Sequence, residues 1–224
     1  MNREELWREI QNALYEIRHS LAQAKAYRDI EPPGEVEQWF SAHSRKVSHL
    51  NIAALYLAKI QDLVVRLLFE SFGGETFITV KPSSEDWEKA LTMSKAREGL
   101  ERLLTEGSLD QLEFQAIKDA LDEPAKSKNQ DLVVRYRNRV AHRVRPSVDH
   151  WELSPVIQNR EGKPILDKDG KTTGTSWAVV AHPAKADFEF GALYEAMADY
   201  LVHLKRMLER LKAVPRLGMS MTAG

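Results

Sequence analysis

Apolar residues recur every three to four positions over residues 4 to about 28, at Leu6, Trp7, Ile10, Leu14, Ile17, Leu21 and Ala24. That spacing puts them on one face of a helix, which Ile30 and the run from Pro32 to Gly34 bring to an end. A second helix is predicted from Val36, or from after Ser44, to Phe72, with Gly73 and Gly74 as its stop. Its middle, residues 53–69, is apolar around most of its circumference, which places it centrally in a bundle. Residues 76–80 read as a short extended link closed by Pro82, and Ser83 or Ser84 as the cap of a third helix running to Leu104. A shorter helix is predicted over residues 110–121, a connector containing Pro124 over 122–128, and another long helix from near Asn129 until Pro146.

The pattern then switches to short runs separated by turn residues. Residues 151–157, 165–166 and 176–181 read as strands, and the helical period returns from Phe190 to Leu211 with Leu193, Met197, Tyr200, Leu201, Leu204 and Leu208 on one face. The expected fold is all-α: an up-and-down bundle of four to five helices with a small antiparallel β-hairpin insertion, about residues 151–182, before the last helix. Residues 1–214 form one domain in this reading, and residues 215–224 a tail polar enough to fray.

Charge and composition narrow the function classes. The 224 residues carry 32 Lys plus Arg against 33 Asp plus Glu, so anion binding must come from local patches. Cysteine is absent, which removes disulfides, thiolate metal sites and cysteine nucleophiles, and fits a reducing compartment, the cytoplasm by default. The start MNREELWREI lacks the apolar run of a secretory signal, and residues 50–72 hold too many polar groups for a membrane span, so no membrane partner is expected. No phosphate-cradling glycine loop occurs, and the DKDGK run at Asp167 to Lys171 lacks the terminal glutamate of a calcium loop and reads as a turn. His43 and His49 stand six apart, not the four of a zinc-binding helix, so neither a metal nor a cofactor is expected.

One stretch is not explained by core building. Residues 135–145 read RYRNRVAHRVR, five arginines and one histidine in eleven residues. Arginine grips phosphate with a rigid fork of donors, and histidine exchanges a proton near neutral pH. On a helix, Leu132, Val133, Tyr136, Val140 and Val144 share the core side, while Arg135, Asn138, Arg139 and His142 face away and Arg137 sits at the flank of the apolar stripe. Five residues advance a helix by about 140°, so a straight helix does not aim Arg137 and His142 at one atom. A solvated arginine face near a helix C-terminus, favoured by the dipole, is the alternative that needs no function.

Arg137, Asn138 and His142, written RNRVAH, resemble the motif of the HEPN superfamily, whose helical bundles carry it late in the chain. The resemblance implies a metal-independent endoribonuclease that dimerises so that two copies of the motif line one cleft. The separation of Arg137 from His142 would then be resolved by a two-fold axis between two helices, or by a distortion of the helix near Asn138. It also implies roles: His142 as general acid or base, Arg137 as stabiliser of the pentacovalent phosphate, Asn138 as the orienting residue, and Asp62 as an acidic support from an earlier helix. Arg135, Arg139, Arg143 and Arg145 would track the RNA, and a toxin or phage-defence effector with a cognate antitoxin is the implied setting. The tyrosine that some members carry two residues after the histidine is replaced here by Val144. Two other readings remain: a non-catalytic module binding nucleic acid, a nucleotide or a protein partner, and a structural helical protein whose arginines meet an acidic partner.

Overall fold

The computed structural model describes residues 2–27, 36–74, 77, 91–141, 146–149, 151–158, 176–183 and 185–218, with the backbone alone for 36–40, 151–158 and 176–183. Among the described residues there are six α-helices: α1 (Arg3–Ala26), α2 (Val36–Ser71), α3 (Met93–Thr105), α4 (Gln111–Leu121), α5 (Gln130–Ala141) and α6 (Phe190–Ala213). The fold is all-α in its core, and no described helix is long and apolar enough to cross a membrane.

α1 begins with a reciprocal cap, in which the Asn2 side chain accepts from the Glu5 amide while the Glu5 carboxylate accepts from the Asn2 amide. The predicted stripe from Leu6 to Ala24 is buried, and it packs along α2. α2 is central, as its apolar circumference requires: Leu50, Leu57, Ile60, Val64, Leu67 and Leu68 have no exposure, and the helix also meets α3 and α5. It stops where Gly73 and Gly74 take φ of 95° and 62°, a conformation glycine adopts without strain.

α3 does not continue from Ser84. Leu91 and Thr92 lie outside any helix, and the Thr92 hydroxyl accepts from the Lys95 amide, so the cap stands eight residues beyond Ser84; Ser83 and Ser84 themselves lie outside the described residues. α4 is capped by Asp110, whose carboxylate accepts from the amides of Leu112 and Glu113. A single 3-10 turn, Glu123–Lys126, follows and docks against α6.

That turn is held by a buried carboxylate. Glu123 meets Lys126 at 2.8 Å, His203 of α6 at 3.2 Å and Arg210 at 3.4 Å. The Lys126 hydrogen bond leads the effects that pull its pKa from the ordinary 4.5 down to about 2, with His203 and Arg210 adding to it against the cost of burial. A carboxylate depressed in the folded state stabilises fully above its unfolded pKa and loses that contribution as pH falls through the folded one. Melting temperature should therefore fall between about pH 4.5 and about pH 2 through a component that Glu123→Gln lacks. Identical acid profiles for the two proteins would remove Glu123 from the account.

Pro215 to Gly218 are not frayed. Leu217 has no exposure, and its carbonyl accepts from the Trp7 indole at 2.6 Å, while Arg3 donates to the carbonyl of Arg216. The expected free tail thus begins no earlier than residue 219, and residues 219–224 lie outside the described residues. Its composition is polar, but Leu217 supplies an apolar anchor buried in the core cluster.

Between α5 and α6 the chain makes a neck. Val148 and Phe188 form a parallel bridge, and the Asp149 amide donates to the Phe188 carbonyl. Asp149 takes a φ of 42°, which costs a non-glycine residue. Its carboxylate offsets that by accepting from the Phe190 amide at 2.8 Å, capping α6 in place of Glu189, and by pairing with Lys46 of α2 at 3.0 Å. Beyond the neck the backbones of β1 (Trp151–Gln158) and β2 (Ser176–Pro183) pair antiparallel, from Trp151 opposite Pro183 to Gln158 opposite Ser176. Residues 165–166, read as a further strand, lie outside the described residues.

Candidate functional site

α5 carries the arginine-rich stretch and is wedged between α2 and α6. Val133 and Tyr136 are buried, Leu132 and Val140 pack partly against the core, and Arg135 and Asn138 are exposed, so the helix is oriented as its sequence pattern predicts. Tyr136 fixes the rotation. Its hydroxyl donates to Asn51 of α2 at 2.7 Å, its ring meets Phe188 edge-on at 5.0 Å, and burial pushes its pKa well above the tyrosine range.

Arg137, half-buried at the flank of this stripe, points toward α2. One guanidinium nitrogen donates to the side-chain oxygen of Gln61 and another to the side-chain oxygen of Asn138 at 3.2 Å. Gln61 in turn donates to the hydroxyl of Tyr200 on α6, at 3.0 Å. Tyr200 is 1% exposed, and burial raises its pKa, with Arg137 and the Gln61 hydrogen bond acting in the opposite direction. Arg137 of α5 is thus linked through Gln61 of α2 to Tyr200 of α6. Among the described residues, no carboxylate is close enough to Arg137 to form an ion pair; both of its partners are neutral amides.

The other arginines of α5 have different fates. Arg139 pairs with Asp187 of the neck at 2.6 Å, and its guanidinium, like that of Arg135, lies over the Phe188 ring, at 5.6 Å and 5.2 Å. Asp187 is held below the usual carboxylate range first by the Ser147 amide, then by the Ser147 hydroxyl and by Arg139. Arg135 and Arg139, expected along an RNA track, thus also clasp the neck to the motif helix. His142, Arg143 and Arg145 lie outside the described residues.

Asp62, the expected acidic support, follows Gln61 on α2 and lies within the field of Arg137. It reaches solvent, yet partial desolvation raises its pKa, and Arg66 and Arg137 draw it partly back. This is the environment of a carboxyl near a cation but not bound to it. His49 stacks on Tyr27 at 6.1 Å, and burial lowers its pKa.

Gln61 and Tyr200 were not among the residues the sequence singled out for the site. The signal for Gln61 is its place with Asp62 as consecutive polar residues in the most apolar helix, where burial without a partner would be costly. Tyr200 offers no comparable signal, since it falls on the apolar face of α6 and its hydroxyl partner is 139 residues away.

A groove of about 510 Å³ lies elsewhere, between α1 and α6, with Gln11, Tyr15, Arg18 and Lys205 in its walls. None of the motif residues lines it. Among the described residues, no three His, Asp or Glu side chains gather as a metal site would need. Comparison with protein-family models, with curated proteins and with solved structures gave no match.

Proposed function

We propose that this chain is a HEPN-type endoribonuclease that cleaves RNA without a metal ion, as a homodimer built through the helix carrying Arg137 and His142. The single observation that carries this reading is the state of Arg137: fixed by Gln61 and Asn138, half-buried, and in no ion pair with a described carboxylate. A structural arginine in such a place is ordinarily paired, as Arg139 is with Asp187. A fixed guanidinium with no ion-pair partner is what a phosphate-stabilising residue requires.

In this reading the RNA 2′-oxygen attacks the adjacent phosphorus, the 5′-oxygen leaves, and a 2′,3′-cyclic phosphate remains. One His142 removes the 2′-hydroxyl proton and the His142 of the second copy protonates the leaving oxygen, a use of acid and base worth about 10²–10⁴-fold per residue. Arg137 holds the pentacovalent phosphate, Asn138 orients Arg137, and Asp62 adds negative field that steadies both. Arg135, Arg139, Arg143 and Arg145 follow the strand. Residues 151–182 form a hairpin insertion in an up-and-down bundle and wall the cleft. A cytoplasmic toxin or phage-defence effector, restrained by a cognate antitoxin, is the setting in which such an activity is used.

The second reading, a non-catalytic module binding nucleic acid, a nucleotide or a protein partner, is favoured by one observation. Arg139 is paired with Asp187 and Arg135 rests on Phe188, so part of the arginine row is engaged within the chain. Incubating the purified protein with a mixed RNA in EDTA separates the two. Products ending in 2′,3′-cyclic phosphate support the nuclease. Intact RNA together with salt-sensitive binding supports the module.

A further inference from the structure

We infer that Gln61 is the positioning residue of this site: gripped by Tyr200, its amide oxygen aims the Arg137 guanidinium at an RNA phosphate while leaving the positive charge of that group unspent. This rests on Arg137 meeting phosphate, as proposed above.

The argument begins with donors and acceptors. A guanidinium has only donors, so the Gln61 atom facing Arg137 must be the amide oxygen. The amide nitrogen then faces Tyr200, and the hydroxyl oxygen there accepts from it at 3.0 Å. Tyr200 is packed in the core at 1% exposure and cannot swing away, so the amide has one orientation and Arg137 one anchor. Asn138, the second anchor, lies on the same helix as Arg137 and constrains it less. Among the described residues, Gln61 is therefore the one contact that ties the guanidinium to another helix.

The identity of the residue matters as much as its position. A glutamate has nearly the same shape and would hold Arg137 more tightly, but as an ion pair, and the charge would no longer attract an anion. Arg139 and Asp187 show that outcome on the same helix, at 2.6 Å. A neutral amide gives position without neutralisation. Asp62, the next residue on α2, is drawn toward its charged form by Arg137 but makes no ion pair with it among the described residues.

The test compares the full-length wild type with Gln61→Glu, Gln61→Met and Arg137→Ala. For each, affinity for a short single-stranded RNA of mixed sequence is measured across a salt series, beside the melting temperature. Gln61→Glu is expected to melt at or above the wild type and yet to bind RNA about tenfold or more weakly, with the salt slope reduced by about one phosphate contact, as in Arg137→Ala. Gln61→Met keeps the charge and loses the anchor, so its slope should match the wild type while affinity falls by about twofold to fivefold, roughly 0.4–1 kcal/mol. A residue that only supports the fold would not move the salt slope.

The failures are distinguishable. If Arg137→Ala binds RNA as the wild type does, the reading of the site falls and this inference with it. If Arg137→Ala is impaired and Gln61→Glu binds with wild-type affinity and slope, the inference alone is overturned. Weakened binding by Gln61→Glu that tracks a lowered melting temperature, with an unchanged slope, overturns it too. Should Gln61→Glu fail to fold, Gln61→Met decides: weaker binding at an unchanged slope and an unchanged melting temperature supports the inference, and unchanged affinity, or weakening that tracks a lowered melting temperature, contradicts it.

Discussion

Replacing Arg137 by alanine is expected to lower RNA cleavage by about 10²–10³-fold, the range found when one preorganised donor to a developing oxyanion is removed. The fold should survive. The side chain is half-buried, its partners are neutral, and the amides of Gln61 and Asn138 keep access to Tyr200 and to water. Melting temperature is therefore expected to change little, while turnover collapses. Arg137→Lys should fall between the two, since an ammonium keeps the charge but cannot span Gln61, Asn138 and a phosphate with one planar fork. Single-turnover cleavage of a labelled RNA, with melting followed in parallel, checks this. Turnover by Arg137→Ala within about threefold of the wild type would contradict the role assigned to that residue.

The second large effect is on stability. Trp7→Ala should cost about 3–5 kcal/mol, because it empties a fully buried site and releases the segment ending at Gly218. In a chain of this length about 1 kcal/mol corresponds to roughly 2–4 °C, so the melting temperature should drop by roughly 6–20 °C. Trp7→Phe retains most of the volume but leaves the Leu217 carbonyl without its donor, a loss of about 1–3 kcal/mol. Melting by circular dichroism orders the three proteins. A Trp7→Ala protein that melts within about 2 °C of the wild type would show that the C-terminal turn is not held by this contact.

Much of the bundle was legible because its helices are written in period. The apolar stripes of α1 and α6, the circumference of α2, the glycine stop at Gly73 and Gly74 and the core face of α5 are all properties of short windows. The start of α3 was not. Ser83, Ser84 and Thr92 are equally good caps locally, and Thr92 is the residue whose hydroxyl accepts the Lys95 amide. Leu217 was missed for a related reason: one apolar residue in a polar tail gives no periodic signal, and its burial depends on Trp7 and Arg3, more than two hundred residues away.

The site divides along the same line. Arg137 and Asn138 came from a local motif, and Asp62 from the family resemblance, and the structure brings Asp62 into the field of Arg137. What fixes Arg137 is non-local. Gln61 and Tyr200 become a pair only when α2 and α6 meet, and the neck contacts of Arg135 and Arg139 with Phe188 and Asp187 require residues 187–188 to come back against α5. The three described arginines of the stretch thus separate by environment: Arg139 paired with Asp187, Arg135 over the Phe188 ring, and Arg137 held by Gln61 and Asn138.

Cleavage and binding of the same RNA by the wild type and by His142→Ala, in EDTA, test the central claim most directly. A nuclease of this kind predicts that the wild type produces 2′,3′-cyclic phosphate ends, and that His142→Ala binds the RNA with nearly unchanged affinity and salt dependence while cleaving at least about 10²-fold more slowly. Cleavage that survives the substitution at the wild-type rate would contradict it.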